Sequence, residues 1–408
     1  MTILRAKYVV PMAQPPIEDG AVVVGGDSII AVGPTREIRA AHAGDLKDLG
    51  EVVLSPGLIN AHCHLDYSDL KDKVEWHGSF MEWLLKLVSL KKQRTEEQYR
   101  AAIVAGLDQL RRSGTTTVVN VESFPQVIDH LPESSLRIWW CLELIDFNRG
   151  ISAEELARQA EEFIAAHPVA WGGFGLSPHA PYTASAALCR LAAQYTRARN
   201  IPLTTHLAES EEEDDMFRRG AGPMYDYFLR AGRDMSDCKR IGPVQLMAEC
   251  EVLGPSFLAV HANCLTPQDI TLLKNSGSHI VHCPKSHRFF GRRTAWLPAF
   301  WQNNMNVCLG TDSLASNDTL DMFAEMQAVA REFPRLEAEQ ILRMATVCGG
   351  KALNLPDKLG MITPGAWADL IAVPWDGVSS DPYEAVVFAE RRVRFSMVGG
   401  KAVVDENE

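Results

Sequence analysis

The sequence predicts an α/β protein: a TIM-like (β/α)8 barrel with a small β-sandwich domain built from both termini. Three observations predict it. Eight strand-like runs alternate with helical patterns through the middle of the chain. Both ends are instead rich in short strands and tight turns, and histidines or acids close several of the central runs. Alternating β and α segments pack as a parallel sheet wrapped in helices, and eight such units close into a barrel.

Taken in order, residues 1–52 carry Tyr8-Val9-Val10, Ala21-Val22-Val23-Val24, a Gly25-Gly26-Asp27 turn and Ile29-Ile30-Ala31-Val32, the texture of strands and hairpins. Residues 359–408 repeat it, with Asp369-Leu370-Ile371-Ala372-Val373, a run over 393–398, the Gly399-Gly400 turn and Ala402-Val403-Val404. The expectation is one β domain from 1–52 and 359–408, with a barrel over 53–358 inserted between. The barrel strands are read at 52–62, 115–121, 136–144, 172–176, 203–206, 257–261, 279–282 and 306–310. Helix starts lie between them: Thr95-x-x-Gln98 and Ser152-x-x-Glu155 resemble capping boxes, and Thr266-Pro267 places proline in a first turn. Tyr99, Ala102, Ile103, Gly106, Leu107 and Leu110 form one helical face that stops at Gly114.

Composition narrows the function. A net charge of -12 argues against nucleic acid or an anionic membrane surface as partner. No apolar run is long enough to span a bilayer and no targeting segment is expected. Nine cysteines without framework spacing read as free thiols of a cytoplasmic protein. A small-molecule substrate is the expected partner.

Barrel chemistry sits at the C-terminal ends of the strands. Read there, the chain offers His62 and His64, His179, His206, His261, His282 and Asp312. Side chains alternate along a strand, so His62 and His64 share a face and Cys63 takes the other. Any one of these histidines alone is more often a satisfied core residue; together, at so many strand ends, they point to a metal. His62, His64, His206 and Asp312 make a ligand set suited to one divalent ion, Zn2+ or Fe2+, with room for a water whose pKa the ion would lower toward neutrality. Glu209, three residues after His206, is placed to shuttle a proton; the plain alternative is a first-turn acid complementing a helix dipole. Strand four carries no lysine near His179 to bridge two ions.

Pro56-Gly57-Leu58-Ile59-Asn60-Ala61-His62-x-His64, Ser177-Pro178-His179-Ala180-Pro181-Tyr182-Thr183, His206-Leu207-Ala208-Glu209, Val260-His261-Ala262-Asn263, His282-Cys283-Pro284-Lys285-Ser286 and Gly310-Thr311-Asp312-Ser313-Leu314-Ala315-Ser316-Asn317 together resemble the amidohydrolase superfamily. The likeness is greatest to its mononuclear aminohydrolase and chlorohydrolase branch. The resemblance implies metal at His62, His64, His206 and Asp312, a substrate-contacting His179, Glu209 as shuttle, and His261 holding the attacking oxygen or polarising the target carbon. It implies hydrolytic removal of an amine from an aromatic heterocycle, foremost a 6-aminopurine nucleoside. Hydrolysis of a cyclic amide, an imidazolone or a ring halide is the alternative, and a non-catalytic metal-binding homologue a third.

Two stretches depart from the branch. Cys283-Pro284-Lys285-Ser286-His287 has histidine where adenosine-type deaminases have asparagine, and Leu65-Asp66-Tyr67-Ser68 is unusually polar. Asp66, His287, Arg288 and Arg293 are accordingly expected to meet a ribose or a carboxylate-bearing extension of the substrate. Glu211-Glu212-Glu213-Asp214-Asp215 reads as a solvated first helical turn, and one ring of Trp139-Trp140 as core. Met81, Leu84, Leu85 and Val88 form a helix face that could serve as core, homodimer contact or pocket lid.

Overall fold

The computed structural model describes residues 1–405 apart from 149, 170, 293, 294, 391 and 392. Arg293, expected near the substrate, lies outside the described residues. Among the described residues, sixteen strands form two sheets. β1 (Thr2–Val9), β2 (Ile17–Gly25), β3 (Ser28–Pro34), β4 (Asp45–Asp48) and β5 (Val52–Pro56) come from the N-terminal part. β6 (Leu58–Cys63), β7 (Thr115–Glu122), β8 (Arg137–Leu144), β9 (Gly172–Pro178), β10 (Leu203–Leu207), β11 (Phe257–His261), β12 (His279–His282) and β13 (Val307–Leu309) follow. β14 (Leu370–Pro374), β15 (Phe395–Val398) and β16 (Lys401–Asp405) end the chain.

β6 to β13 lie side by side in sequence order, all parallel, as the alternating pattern requires. The barrel closes between β6 and the end of β13, where the amides of Thr311 and Asp312 both donate to the His62 carbonyl, at 3.0 and 3.1 Å. Asn60 secures this seam: its Oδ1 accepts from the Thr311 amide (3.1 Å) and its Nδ2 donates to the Thr311 hydroxyl (2.8 Å). Closure thus sets the two stretches expected to carry metal ligands, His62–His64 and Asp312, edge to edge.

The second sheet joins the termini in the order β16-β15-β14-β5-β1-β2-β3, with β4 on β1. Here one strand reading is corrected. The run 52–62 is two strands: Val52–Pro56 pairs with β14 and β1 in the terminal sheet, and only Leu58–Cys63 enters the barrel. Gly57 makes the crossing possible, because a Cβ there would come within 2.1 Å of the Thr116 hydroxyl.

Local signals are met closely. Thr95 caps the helix Glu96–Arg112 with a reciprocal Gln98 contact, and the six residues of its apolar face are the ones buried. Ser152 caps Ala153–Ala166 and Thr266 caps Pro267–Ser276. Trp139 and Trp140 are both buried, packing in separate clusters on the two faces of β8, so both rings are core. At the start of β8, far from the strand ends that carry the histidines, Arg137 ties the barrel to the terminal sheet. Its guanidinium donates to Asp369 (2.6 and 3.2 Å) and stacks on Trp367 (3.9 Å). Among the described residues, no helix is long and apolar enough to cross a membrane.

Candidate active site

The strand ends bring five of the anticipated residues to one point. His64 Nε2 lies 3.1 Å from His206 Nε2. Asp312 Oδ1 is 3.7 Å from His62 Nε2 and 4.0 Å from His64 Nε2. Ligand-type atoms of His62, His64 and His206 fall within 4.8 Å of one another, and so do those of His62, His261 and Asp312. All five side chains are buried.

Backbone geometry aims them. His261 and Asp312 have positive φ, 73° and 58°, where non-glycine residues rarely sit. Ala208, between His206 and Glu209, has φ 51°. The Glu213 carboxylate holds that turn, accepting the amides of Ala208 (3.1 Å) and Glu209 (2.8 Å). The acidic run at 211–215 is therefore not simply solvated. Glu213 is fully buried, and Glu212 caps the helix Phe80–Lys91 through the amides of Phe80 (2.7 Å) and Met81 (3.0 Å). Nothing in a run of five like charges tells which one turns inward.

Electrostatics suits a cation. Burial, then the neighbouring His62 and His206, drives the His64 pKa well below 6.5. Burial, then His62 and His179, takes His206 down to about 3. Burial also lowers His261, helped by His206 and His62. These imidazoles are neutral, the form that binds metal. Burial alone would raise Asp312, but its histidine neighbours, His62 first at 3.7 Å and then His261 and His64, hold its carboxyl well below the usual range. Ser286 (2.7 Å) and Ser316 (2.8 Å) also donate to its Oδ2. Both nitrogens of His62 and Nδ1 of His64 are buried with no hydrogen-bond partner. Orphaned imidazole nitrogens around a carboxylate fit a divalent metal, which would satisfy the converging atoms at once.

Glu209 stands beside this cluster, its Oε1 3.7 Å from His261 Nε2, and burial followed by the charge of Asp312 raises its pKa well above 4.5. His179 reaches the same cavity. The Thr183 hydroxyl donates to the Ala180 carbonyl (3.3 Å) and accepts from His179 Nδ1 (2.7 Å), which leaves His179 Nε2 as an acceptor.

A family model for the amidohydrolase family matches residues 53–403. The chain belongs to the amidohydrolase family. A 5-methylthioadenosine/S-adenosylhomocysteine deaminase of Syntrophobacter fumaroxidans is 30% identical to it, over 95% of this chain and 89% of that one. An aminodeoxyfutalosine deaminase of Deinococcus radiodurans is 31% identical, over 81% of this chain and 80% of that one. A solved adenosine deaminase of Xanthomonas campestris with bound zinc superposes with a TM-score of 0.85 at 25% identity, covering 100% of this chain and 93% of that one.

Within this family fold, the cavity before the cluster is walled differently from expectation. Phe80, Met81, Trp83, Leu84, Leu87 and Val88 line it, with Phe147 and Phe228 opposite. The helix face of Met81, Leu84, Leu85 and Val88 is thus a pocket wall. None of Asp66, His287 and Arg288 lines this cavity. The short turn Leu65–Tyr67 folds Asp66 inward, fully buried against the Ser123 hydroxyl, and points Tyr67 at the cavity instead. His287 Nδ1 donates to Asn263 Oδ1 (3.0 Å), and its ring lies 5.4 Å from His282. Arg288, one position further round the helix Pro284–Phe289, is exposed. His282 is buried outside the ligand cluster. The charged groups that do line the cavity beyond the cluster, Lys91, Lys92 and Glu143, were not anticipated. Glu143 had a signal, an acid inside the apolar run that ends β8.

Proposed function

We propose that this amidohydrolase deaminates a 6-aminopurine nucleoside by hydrolysis, replacing the exocyclic amine with oxygen and releasing ammonia. The convergence of His62, His64, His206 and Asp312, with His64 Nε2 3.1 Å from His206 Nε2, carries the reading. These four residues would hold the ion, and His261 lies close enough to share it or to face the attacking oxygen. The ion is assigned as Zn2+ in preference to Fe2+, in keeping with the nitrogen-rich donor set and the zinc in the Xanthomonas relative. A divalent ion supplies Lewis acidity, lowering the pKa of a water ligand toward neutrality.

The protein's own groups do the rest. Glu209, buried and raised in pKa, gives its proton to the ring nitrogen beside the target carbon, recovers one from the attacking water, passes it to the departing amine and regains its own from the new hydroxyl as the carbonyl forms. Asp312, kept ionised by its serine donors and histidine neighbours, accepts a hydrogen bond from the incoming water. His179 Nε2 accepts from the substrate, and the apolar helix wall excludes bulk water from the ring. The carbon–nitrogen bond breaks once water has added, so the balance is water in and ammonia out. Adenine nucleosides are favoured because the curated relatives are named for such substrates.

The test is ammonia release by the zinc-loaded protein from adenosine and 5′-methylthioadenosine, beside guanine, free adenine and a triazine. Faster release from any non-nucleoside than from every nucleoside would overturn the substrate class.

A further inference from the structure

We propose that Lys91 and Glu143 form the sugar-recognising element of this cavity, gripping the vicinal diol of the nucleoside's ribose; this rests on the reading just given. Glu143 is the second-last residue of β8 and its side chain is 2% exposed; Lys91 ends the helix Phe80–Lys91 and is 22% exposed. Lys91 Nζ lies 3.5 Å from Glu143 Oε2, and both residues line the cavity that contains the histidine cluster.

Their position fits the sugar of a bound nucleoside. Lys91 Nζ lies 4.9 Å above the Tyr67 ring, and that ring stacks on His64 at 5.4 Å. The pair is therefore one aromatic layer out from the cluster, as a sugar is one ring system out from the reacting carbon of a purine. Lys92 also lines the cavity but is exposed, while Phe80, Leu87, Phe147 and Phe228 are apolar.

The chemistry selects a diol over a charged group. The pair neutralises itself, so a lone carboxylate or ammonium arriving there would leave one charge uncompensated in a buried site, which is strongly unfavourable. A vicinal diol is neutral, and each hydroxyl both donates and accepts. Its two O–H groups can donate to the carboxylate while one oxygen accepts from the ammonium. An acidic side chain holds ribose hydroxyls in the same way in dinucleotide-binding folds. A merely structural ion pair would fasten the helix end to β8 and be indifferent to the sugar.

The experiment compares adenosine, 2′-deoxyadenosine and 3′-deoxyadenosine as substrates of the zinc-loaded protein. Calorimetry measures their binding to zinc-loaded wild type and to Glu209→Gln. Losing one hydroxyl should cost on the order of 10- to 100-fold in kcat/KM and in affinity, chiefly through KM. Glu143→Gln and Lys91→Met should narrow that gap to within about threefold, as expected when the charged partner is gone. The wild-type comparison needs no variant to fold. Equal handling of all three nucleosides by wild type, or a full gap retained in Glu143→Gln, overturns the proposal. Diol-dependent binding without ammonia release would sustain it while overturning the deaminase reading, and failure to bind adenosine would overturn it.

Discussion

The Nδ1–H of His206 donates to the main-chain carbonyl of His179 across 2.8 Å. One strand end thereby sets the tautomer of a histidine on the next, and leaves His206 Nε2 as the atom facing His64. Outer partners of this kind orient a metal ligand and raise its basicity. Because the acceptor is main chain, no substitution at position 179 removes it. His179→Ala should therefore weaken substrate binding and leave metal content intact, whereas His206→Ala should lose the metal.

Metal stoichiometry follows from the same cluster. About one ion per chain is expected, since the converging set closes around a single centre. Elemental analysis after zinc-supplemented expression checks this, and two ions or none would contradict it. Chelation should abolish turnover and lower the melting temperature, because an ion that binds only the folded chain stabilises it.

Glu209→Gln keeps the shape of the side chain and removes its exchangeable proton. Turnover should fall by about 10² to 10⁴, with zinc content unchanged. Near-normal kcat in this variant would demote Glu209 to a helix-turn carboxylate and require another proton route.

Glu213 makes a prediction about pH. Burial raises its pKa from 4.5 to about 7. A raised folded-state pKa confers stability at low pH that is lost as pH climbs through the folded value. Metal-free wild type should therefore lose up to about 3 kcal/mol relative to Glu213→Gln between roughly pH 4.5 and 7. Denaturant melts of the two proteins across that window give the difference, and a flat one would show that Glu213 stays ionised. Glu213→Ala should be worse at every pH, stranding two buried amides at about 1–3 kcal/mol each.

Asp369→Asn leaves Arg137 charged and buried between Trp367 and the terminal sheet. Removing one partner of a buried pair costs about 3–5 kcal/mol, read as a lower denaturation midpoint. The pair lies at the opposite end of the strands from the histidines, so kcat/KM below the transition should be unchanged. A fall in kcat/KM at full folding would mean the terminal sheet is coupled to the site.

The sequence by itself determined what local periodicity and chemistry can express. Alternation within a strand put His62 and His64 on one face, capping residues marked helix starts, and the β–α alternation implied a barrel with its acids and histidines at one rim. It could not tell where Val52–Pro56 would pair, because that strand's partners in β14 lie more than three hundred residues away and nothing local distinguishes it from barrel sequence. Strand position did not separate His261 from His282, each the last residue of its strand, and only the motif resemblance singled out His261. A left-handed backbone turn aims His261 at the cluster, whereas His282 is buried beside His287. Tertiary structure alone decided which polar groups line the cavity. A helix or turn presents successive residues to different sides, so Asp66 and Arg288 face away from the cavity while Lys91 and Glu143, distant in sequence, meet inside it. Burial and charge depend on that meeting, and a side chain's chemistry is set by what the fold packs around it.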